Sequence, residues 1–295
     1  MLSYQLERSV ETLVPSEDCV PTCGQRPGLQ DMNVTADPAT LVVAHRGASA
    51  EAAENSIQAF EKAIQVGSDV IEFDVRRTRD DQLIAFHDAT VGGHGVGDLT
   101  CEEIHLRTGI KPPLLNDVLD LTKGRVGLDV ELKEAGFTDR VLKAAGQHFE
   151  PDQLVITSFI DSVVAEAKRA APAIKAGLLV GVGRPEHLLR TRLSELFPAR
   201  RSRACGADFV AMHFRLADLG AIPRADRAGF PAYIWTVNDD DRLRRYLVDP
   251  RVRAVITDVP RRALEMRSEP LILTQQRSLV RSNFSSCLKG ACSGP

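Results

Sequence analysis

A membrane span, a basic face and a zinc-ligand pattern are all missing from this 295-residue chain. No apolar run approaches the ~18 residues that a spanning helix needs. Lys and Arg number 37 against 40 Asp and Glu, a formal charge of −3, so the footprint expected of a nucleic-acid binder is absent. The opening stretch MLSYQLERSVETLV carries acids and has no long apolar core. No signal peptide is expected from it, and the location expected is cytoplasmic. Cysteine is scarce, at Cys19, Cys23, Cys101, Cys205, Cys287 and Cys292. The C-x3-C and C-x4-C pairs lack companion histidines, so free thiols in a reducing compartment are the reading rather than zinc. Internal repeats and low-complexity tracts are also absent. The glycines from Gly92 to Gly97 do not lie between a strand and a helix start as a nucleotide loop does, and a flexible connector is expected there.

What the chain does have is alternation. Residues 1–40 hold Pro15, Pro21, Pro27 and Pro38 without a clean period, which marks an irregular N-terminal extension. From Leu41 short apolar runs alternate with longer amphipathic ones. Strands are expected at 41–47, 69–77, 83–88, 126–133, 154–159, 175–180, 207–214, 232–237 and 254–259. Helices are expected at 54–67, 114–124 and 162–171, with Gly67 and Gly124 at their C-terminal ends. Alternation on this scale implies a parallel sheet, and its length favours a closed (β/α)8 TIM barrel over 41–265. A flexible tail is expected over 266–295. Only Thr78 to Gln82 separate the second and third strand candidates. A parallel crossover needs a dozen or more residues, so this pair is a hairpin or one member lies outside the barrel.

Chemistry-bearing residues gather at the ends of the early strands. The second strand, VIEFDV, holds Glu72 and Asp74 on one face, about 7 Å apart at ~3.3 Å per residue. Two like charges there are costly unless something compensates them. The first strand ends in His45-Arg46-Gly47, the third in His87-Asp88, and the fourth carries Asp129, Glu131 and Lys133. Taken singly, each set has a plain structural reading, such as an internal ion pair for Asp129, Glu131 and Lys133. Four successive strand ends with complementary chemistry point to one site. Glu72, Asp74 and Glu131 could converge on a hard divalent cation, Mg2+ or Ca2+ by their all-oxygen set. Arg46 and Lys133 suit a phosphate-sized anion. His45 and His87 form an acid/base pair. A two-His, one-carboxylate transition-metal site is the rival arrangement and leaves no proton donor.

These residues resemble the glycerophosphodiester phosphodiesterase family. HRGASAEAAENSIQAFEKAIQVG is similar to its opening His-Arg-Gly and Glu-Asn-Thr pattern, with Ser56 in place of Thr. DVIEFDVRRTRDDQLIAFHD resembles its acid-x-acid strand and His-Asp ending, and LDVELK its second metal-binding strand. YIWTVND and VITDVP resemble its closing segments, so the similarity runs from about Val42 to Arg261. The resemblance implies a phospholipase-C-like TIM barrel that splits glycerophosphodiesters into sn-glycerol 3-phosphate and an alcohol, with Mg2+, Ca2+ or Mn2+ as cofactor. It implies His45 and His87 as catalytic residues, Glu72, Asp74 and Glu131 as metal ligands, and Arg46 and Lys133 on the phosphate. Glu54 would support the site near His45, Trp235 would wall the pocket, and Asp258 would fix the last loop. The partner implied is a small-molecule substrate; no pattern in the chain sets an oligomeric state. The segments ATVGGHGVGDLT and TGIKPPLLNDVL depart from the family pattern where the alcohol side is shaped. A lysophospholipase D, a phospholipase C or D barrel using a His pair, and a barrel that only binds a phosphorylated ligand are the alternatives.

Overall fold

In chain order the strands are β1 (Leu41–His45), β2 (Val70–Arg77), β3 (Leu83–Ala85), β4 (Thr90–Val91), β5 (His94–Gly95), β6 (Gly127–Leu132), β7 (Leu154–Ser158), β8 (Lys175–Val180), β9 (Phe209–His213), β10 (Ala232–Trp235) and β11 (Val252–Thr257). These come from a computed structural model that describes residues 39–181, 195 and 197–268. Most of the expected N-terminal extension and C-terminal tail, with Cys19, Cys23, Cys287 and Cys292, lies outside the described residues.

Eight strands run in the order β1-β11-β10-β9-β8-β7-β6-β2, and β1 pairs with β2 to close the ring. Every pairing within the ring is parallel. The odd strand is β3, which lies antiparallel against residues 75–77 of β2, beyond residues 70–72 that pair with β1. The short link after β2 is therefore a hairpin. The Gly92–Gly97 segment is not a loose connector. It folds as the hairpin β4–β5 around Gly92 and Gly93, followed by a single 3-10 turn at Val96–Asp98. Its apolar residues Val91, Val96 and Leu99 pack with Ile84 and Ile104 in a small core of their own.

Helices cover the ring, each with an apolar stripe toward the sheet. In Ile57–Val66 the buried residues are Ala59, Phe60, Ala63 and Ile64, one face of an amphipathic helix. Ser56 caps its start by accepting from the Ala59 amide, and Gly67 ends it with φ of 84°. Two apolar layers result. Between sheet and helices lies the large core, and inside the ring lies a smaller one of Val43, Val70, Val155, Leu179, Phe209, Tyr233 and Ile256. Among the described residues no helix is long and apolar enough to cross a membrane.

Candidate active site

The ring brings β1, β2 and β6 side by side, with His45 opposite Glu72, Glu72 opposite Asp129, and Asp74 opposite Glu131. Alternation along each strand sends all of these side chains to the interior. His45, Glu72, Asp129 and Glu131 line one wall of a cavity of about 150 Å3 with Arg46, His87 and Lys133. Thr157, Phe159, Leu179, Trp235 and Ile256 form the other wall. Of the residues expected at the site, Asp74 sits behind this wall and Glu54 on the outside.

The turn after β1 is shaped for close approach. Arg46 has φ of 55° and Gly47 φ of 82°, both left-handed. A Cβ on Gly47 would come within 2.6 Å of the Ala59 carbonyl carbon, so only glycine lets the turn lie against the helix. The turn aims the Arg46 amide at Glu72 Oε2, 2.9 Å away. The Arg46 guanidinium lies between Glu54 Oε2 at 2.8 Å and Asp74 Oδ2 at 3.2 Å. Three successive residues then divide the work: Glu54 holds Arg46, Asn55 donates to Asp74 Oδ2 at 2.8 Å, and Ser56 caps the helix. Glu54 thus acts on Arg46, the residue that follows His45.

Lys133 bridges two acids, at 2.8 Å from Asp74 Oδ1 and 2.5 Å from Glu131 Oε1. Burial pushes Asp74 up, but Lys133, Arg46 and the bond from Asn55 outweigh it and hold the carboxyl at about 2. Glu131 moves the other way, to about 7, because burial and the Asp74 charge exceed the help from Lys133. Glu72 is raised well above the usual range by burial and by the charges of Asp74, Glu131 and Asp129. Asp129, bonded by Thr157 at 2.7 Å, is raised by burial to about 7. Arg46 and Lys133 do not satisfy this acidic group: Glu72 Oε1 is buried and accepts from nothing among the described residues.

His45 Nδ1 lies 2.7 Å from Asp258 Oδ1, which also accepts from Ser49 at 2.9 Å, while Asn238 donates to Asp258 Oδ2 at 2.5 Å. Burial works against this carboxylate, yet its bonds to His45, Asn238 and Ser49 hold it at about 2. Asp258 therefore orients His45 and does more than fix the last loop, the role expected from sequence. His87 stands at the rim, its Nδ1 at 2.9 Å from Asp88, its backbone carbonyl accepting from Arg76 Nε at 2.9 Å. Burial and the cations Arg46 and Lys133 lower its pKa. Trp235 lines the cavity, donates to the Ala211 carbonyl at 3.0 Å and meets Phe159 edge to face at 5.5 Å. Phe159, Thr157, Asn55 and Asn238 were not anticipated; Asn55 and Asn238 lie inside the quoted motifs, where that signal could have been read.

Oxygens of Glu72, Asp74 and Glu131 lie within 4.8 Å of one another, a set that could hold a metal ion. Fold and site define a class: a barrel enzyme whose C-terminal face gathers acids, cations and two histidines around an anion-sized cavity. Comparison with known proteins narrows it. Residues 45–262 match the sequence model of the glycerophosphoryl diester phosphodiesterase family. A glycerophosphodiester phosphodiesterase of Caldanaerobacter subterraneus subsp. tengcongensis is 31% identical over 245 residues, 75% of this chain and 95% of that protein. The glycerophosphodiester phosphodiesterase of Thermotoga maritima superposes with a TM-score of 0.64 at 22% identity, over 79% of this chain and 100% of that one. An Oleispira antarctica phosphodiesterase, solved with the product sn-glycerol-3-phosphate, gives 0.63 at 21% identity, over 77% and 96%. The chain belongs to the glycerophosphoryl diester phosphodiesterase family.

Proposed function

We propose that residues 41–265 form a catalytic unit that hydrolyses glycerophosphodiesters to sn-glycerol 3-phosphate and an alcohol, with a divalent cation and two histidines. The observation that carries this is the gathering of oxygens of Glu72, Asp74 and Glu131 within 4.8 Å of one another, with Glu72 and Glu131 on the same cavity as His45 and His87. The donor set fits a hard cation. All the oxygens are carboxylate, Glu72 Oε1 is buried without a hydrogen-bond partner among the described residues, and burial together with neighbouring acids raises Glu72 and Glu131, a load that positive charge would relieve. Mg2+, Ca2+ and Mn2+ all suit such donors.

When bound, the ion supplies Lewis-acid stabilisation of charge on the phosphate. The chain's own residues do the rest. Arg46 and Lys133 present positive charge fixed by their acid partners, so little reorganisation is needed as charge builds. His45 is the base: Asp258 accepts from Nδ1, which leaves Nε2 bare toward the cavity, and the carboxylate stabilises the imidazolium formed. It takes the proton from the attacking hydroxyl, whether of water or of the glycerol. His87, with its side chain 37% exposed at the rim, protonates the departing alcohol where that alcohol leaves. Phe159 and Trp235 exclude water along the opposite wall.

Release of glycerol 3-phosphate from a panel of glycerophosphodiesters, with Mg2+, Ca2+, Mn2+ or EDTA, tests the reading. Turnover with a cation and its loss with EDTA are expected; no release from any diester would end it. Faster turnover of lysophosphatidylcholine than of glycerophosphocholine would instead favour the lysophospholipase D alternative.

A further inference from the structure

We infer that Asp129 is a positioning residue for the cation, accepting a hydrogen bond from water in the ion's shell rather than touching the ion; this rests on the cation reading above. Asp129 lies opposite Glu72 in the β2–β6 register, lines the cavity and is 1% exposed. Its two oxygens are used unequally. Oδ1 accepts from Thr157 on β7 at 2.7 Å, whereas Oδ2 accepts from nothing among the described residues. Glu72 mirrors it, with Oε2 committed to the Arg46 amide after β1 and Oε1 left over. Because β6 lies between β7 and β2, and β2 between β6 and β1, the committed oxygens face outward from this pair of strands. Both spare oxygens are buried, on residues that line the same cavity.

Buried carboxylate oxygens without partners are rare, and each calls for a donor or a positive charge. A hydrated divalent cation brings both, its charge for the acids and its water O–H groups for oxygens outside ligating range. Asp129 is outside that range. Oxygens bound to one ion at about 2.3–2.6 Å lie within about 5 Å of one another. Glu72, Asp74 and Glu131 meet a 4.8 Å limit as a group, and Asp129 is not among them. Like Glu72, it keeps one carboxylate oxygen without a hydrogen-bond donor among the described residues. Asp74 is fully buried with Asn55, Arg46 and Lys133 against its oxygens. Residues that hold a metal's outer water typically alter metal affinity by about 10- to 100-fold when lost.

Terbium luminescence separates the possibilities. Titration with Tb3+, followed by displacement with Ca2+ or Mg2+, gives affinity, and lifetimes in H2O and D2O count the waters on the ion. Asp129→Ala is expected to weaken Tb3+ binding about 10- to 100-fold with the water count unchanged. Asp129→Asn, which keeps an acceptor oxygen, should lose less. Unchanged affinity in Asp129→Ala overturns the inference, as does a higher water count, which would make Asp129 a ligand. Should the alanine variant fail to fold, Asp129→Leu, of similar volume and without an acceptor, takes its place, and unchanged affinity in it overturns the inference equally. The two readings fail differently: no Tb3+ binding by the unaltered protein, or full binding by Glu72→Gln, would remove the cation site itself.

Discussion

Two sectors of one ring have opposite interiors. On β1, β2 and β6 the inward residues include His45, Glu72, Asp74, Asp129 and Glu131 above Val43 and Val70, while on β7 to β11 they include Val155, Leu179, Phe209, Tyr233 and Ile256. Backbone geometry is the same on both sides, so the difference lies in side-chain chemistry alone. The apolar sector gains by excluding water. In the charged sector, buried acids are held only by Lys133, Arg46 and a few hydrogen bonds, an arrangement that burial energetics by itself does not favour. The proposed function would thus concentrate stability in one sector and reactivity in the other.

If that division is right, the largest effects on turnover should come from residues that cost the fold little. His45→Ala and His87→Ala should each lower kcat by about 100- to 10,000-fold, the usual contribution of a positioned acid or base. Their thermal unfolding, followed by circular dichroism, should stay close to that of the unaltered protein. Near-normal turnover in either variant would break the acid/base assignment.

The apolar sector should answer in the opposite sense. Phe209 is 3% exposed and stacks on Tyr233 with ring centroids 4.0 Å apart. Phe209→Ala should cost about 3–5 kcal/mol of stability in urea unfolding. Below its transition the variant should still turn over substrate at a rate near normal. A loss of kcat comparable to that of the histidine variants would erase the contrast between sectors.

A pH titration sharpens the same contrast without mutation. Glu131 and Asp129 are each raised to about 7 in the folded protein, and Glu72 is raised well above the ordinary carboxylate range by burial and its acidic neighbours. A carboxyl raised in the folded state holds its proton there after the unfolded chain has lost it, so stability falls as pH rises from the ordinary carboxylate range through about 7. Asp74 and Asp258, held at about 2, act the other way, and their contribution is lost only as pH falls below the ordinary range. In EDTA the unfolding temperature should therefore drop between pH 5 and pH 8, and excess Ca2+ or Mg2+ should remove much of that slope. A flat profile in EDTA would mean that the acids are compensated by the chain itself.

Much of this division was legible in the sequence because both sectors rest on local patterns. Alternation in VIEFDV put Glu72 and Asp74 on one face, and the short Thr78–Gln82 link required β3 to leave the parallel ring. Ring closure was harder to read residue by residue. His45 and Asp258 are 213 positions apart and meet because β11 closes against β1. The hairpin at Gly92–Gly93 was hidden for another reason. Both residues adopt positive φ, 58° and 83°, which fits a tight turn between strands, whereas a glycine-rich stretch read by composition suggests looseness. Asp129 has a structural reading as good as its functional one until its unshared oxygen is known.

The smallest effect comes from the apolar sector's tightest point. On β8, Gly177 faces Phe209 so closely that an added Cβ would lie 2.1 Å from its ring. Nothing about its backbone requires glycine; the ring does. Gly177→Ala must push Phe209 out of its stack with Tyr233 or shift β8 against β9, and overpacking of this kind costs about 1–3 kcal/mol. The double variant Gly177→Ala with Phe209→Leu separates the two responses, since a smaller side chain at 209 makes room for the methyl group. A penalty for Gly177→Ala that shrinks in the Phe209→Leu background places the strain at the ring. An equal penalty in both backgrounds locates it in the strand, and the apolar sector would then be limited by its backbone rather than by its packing.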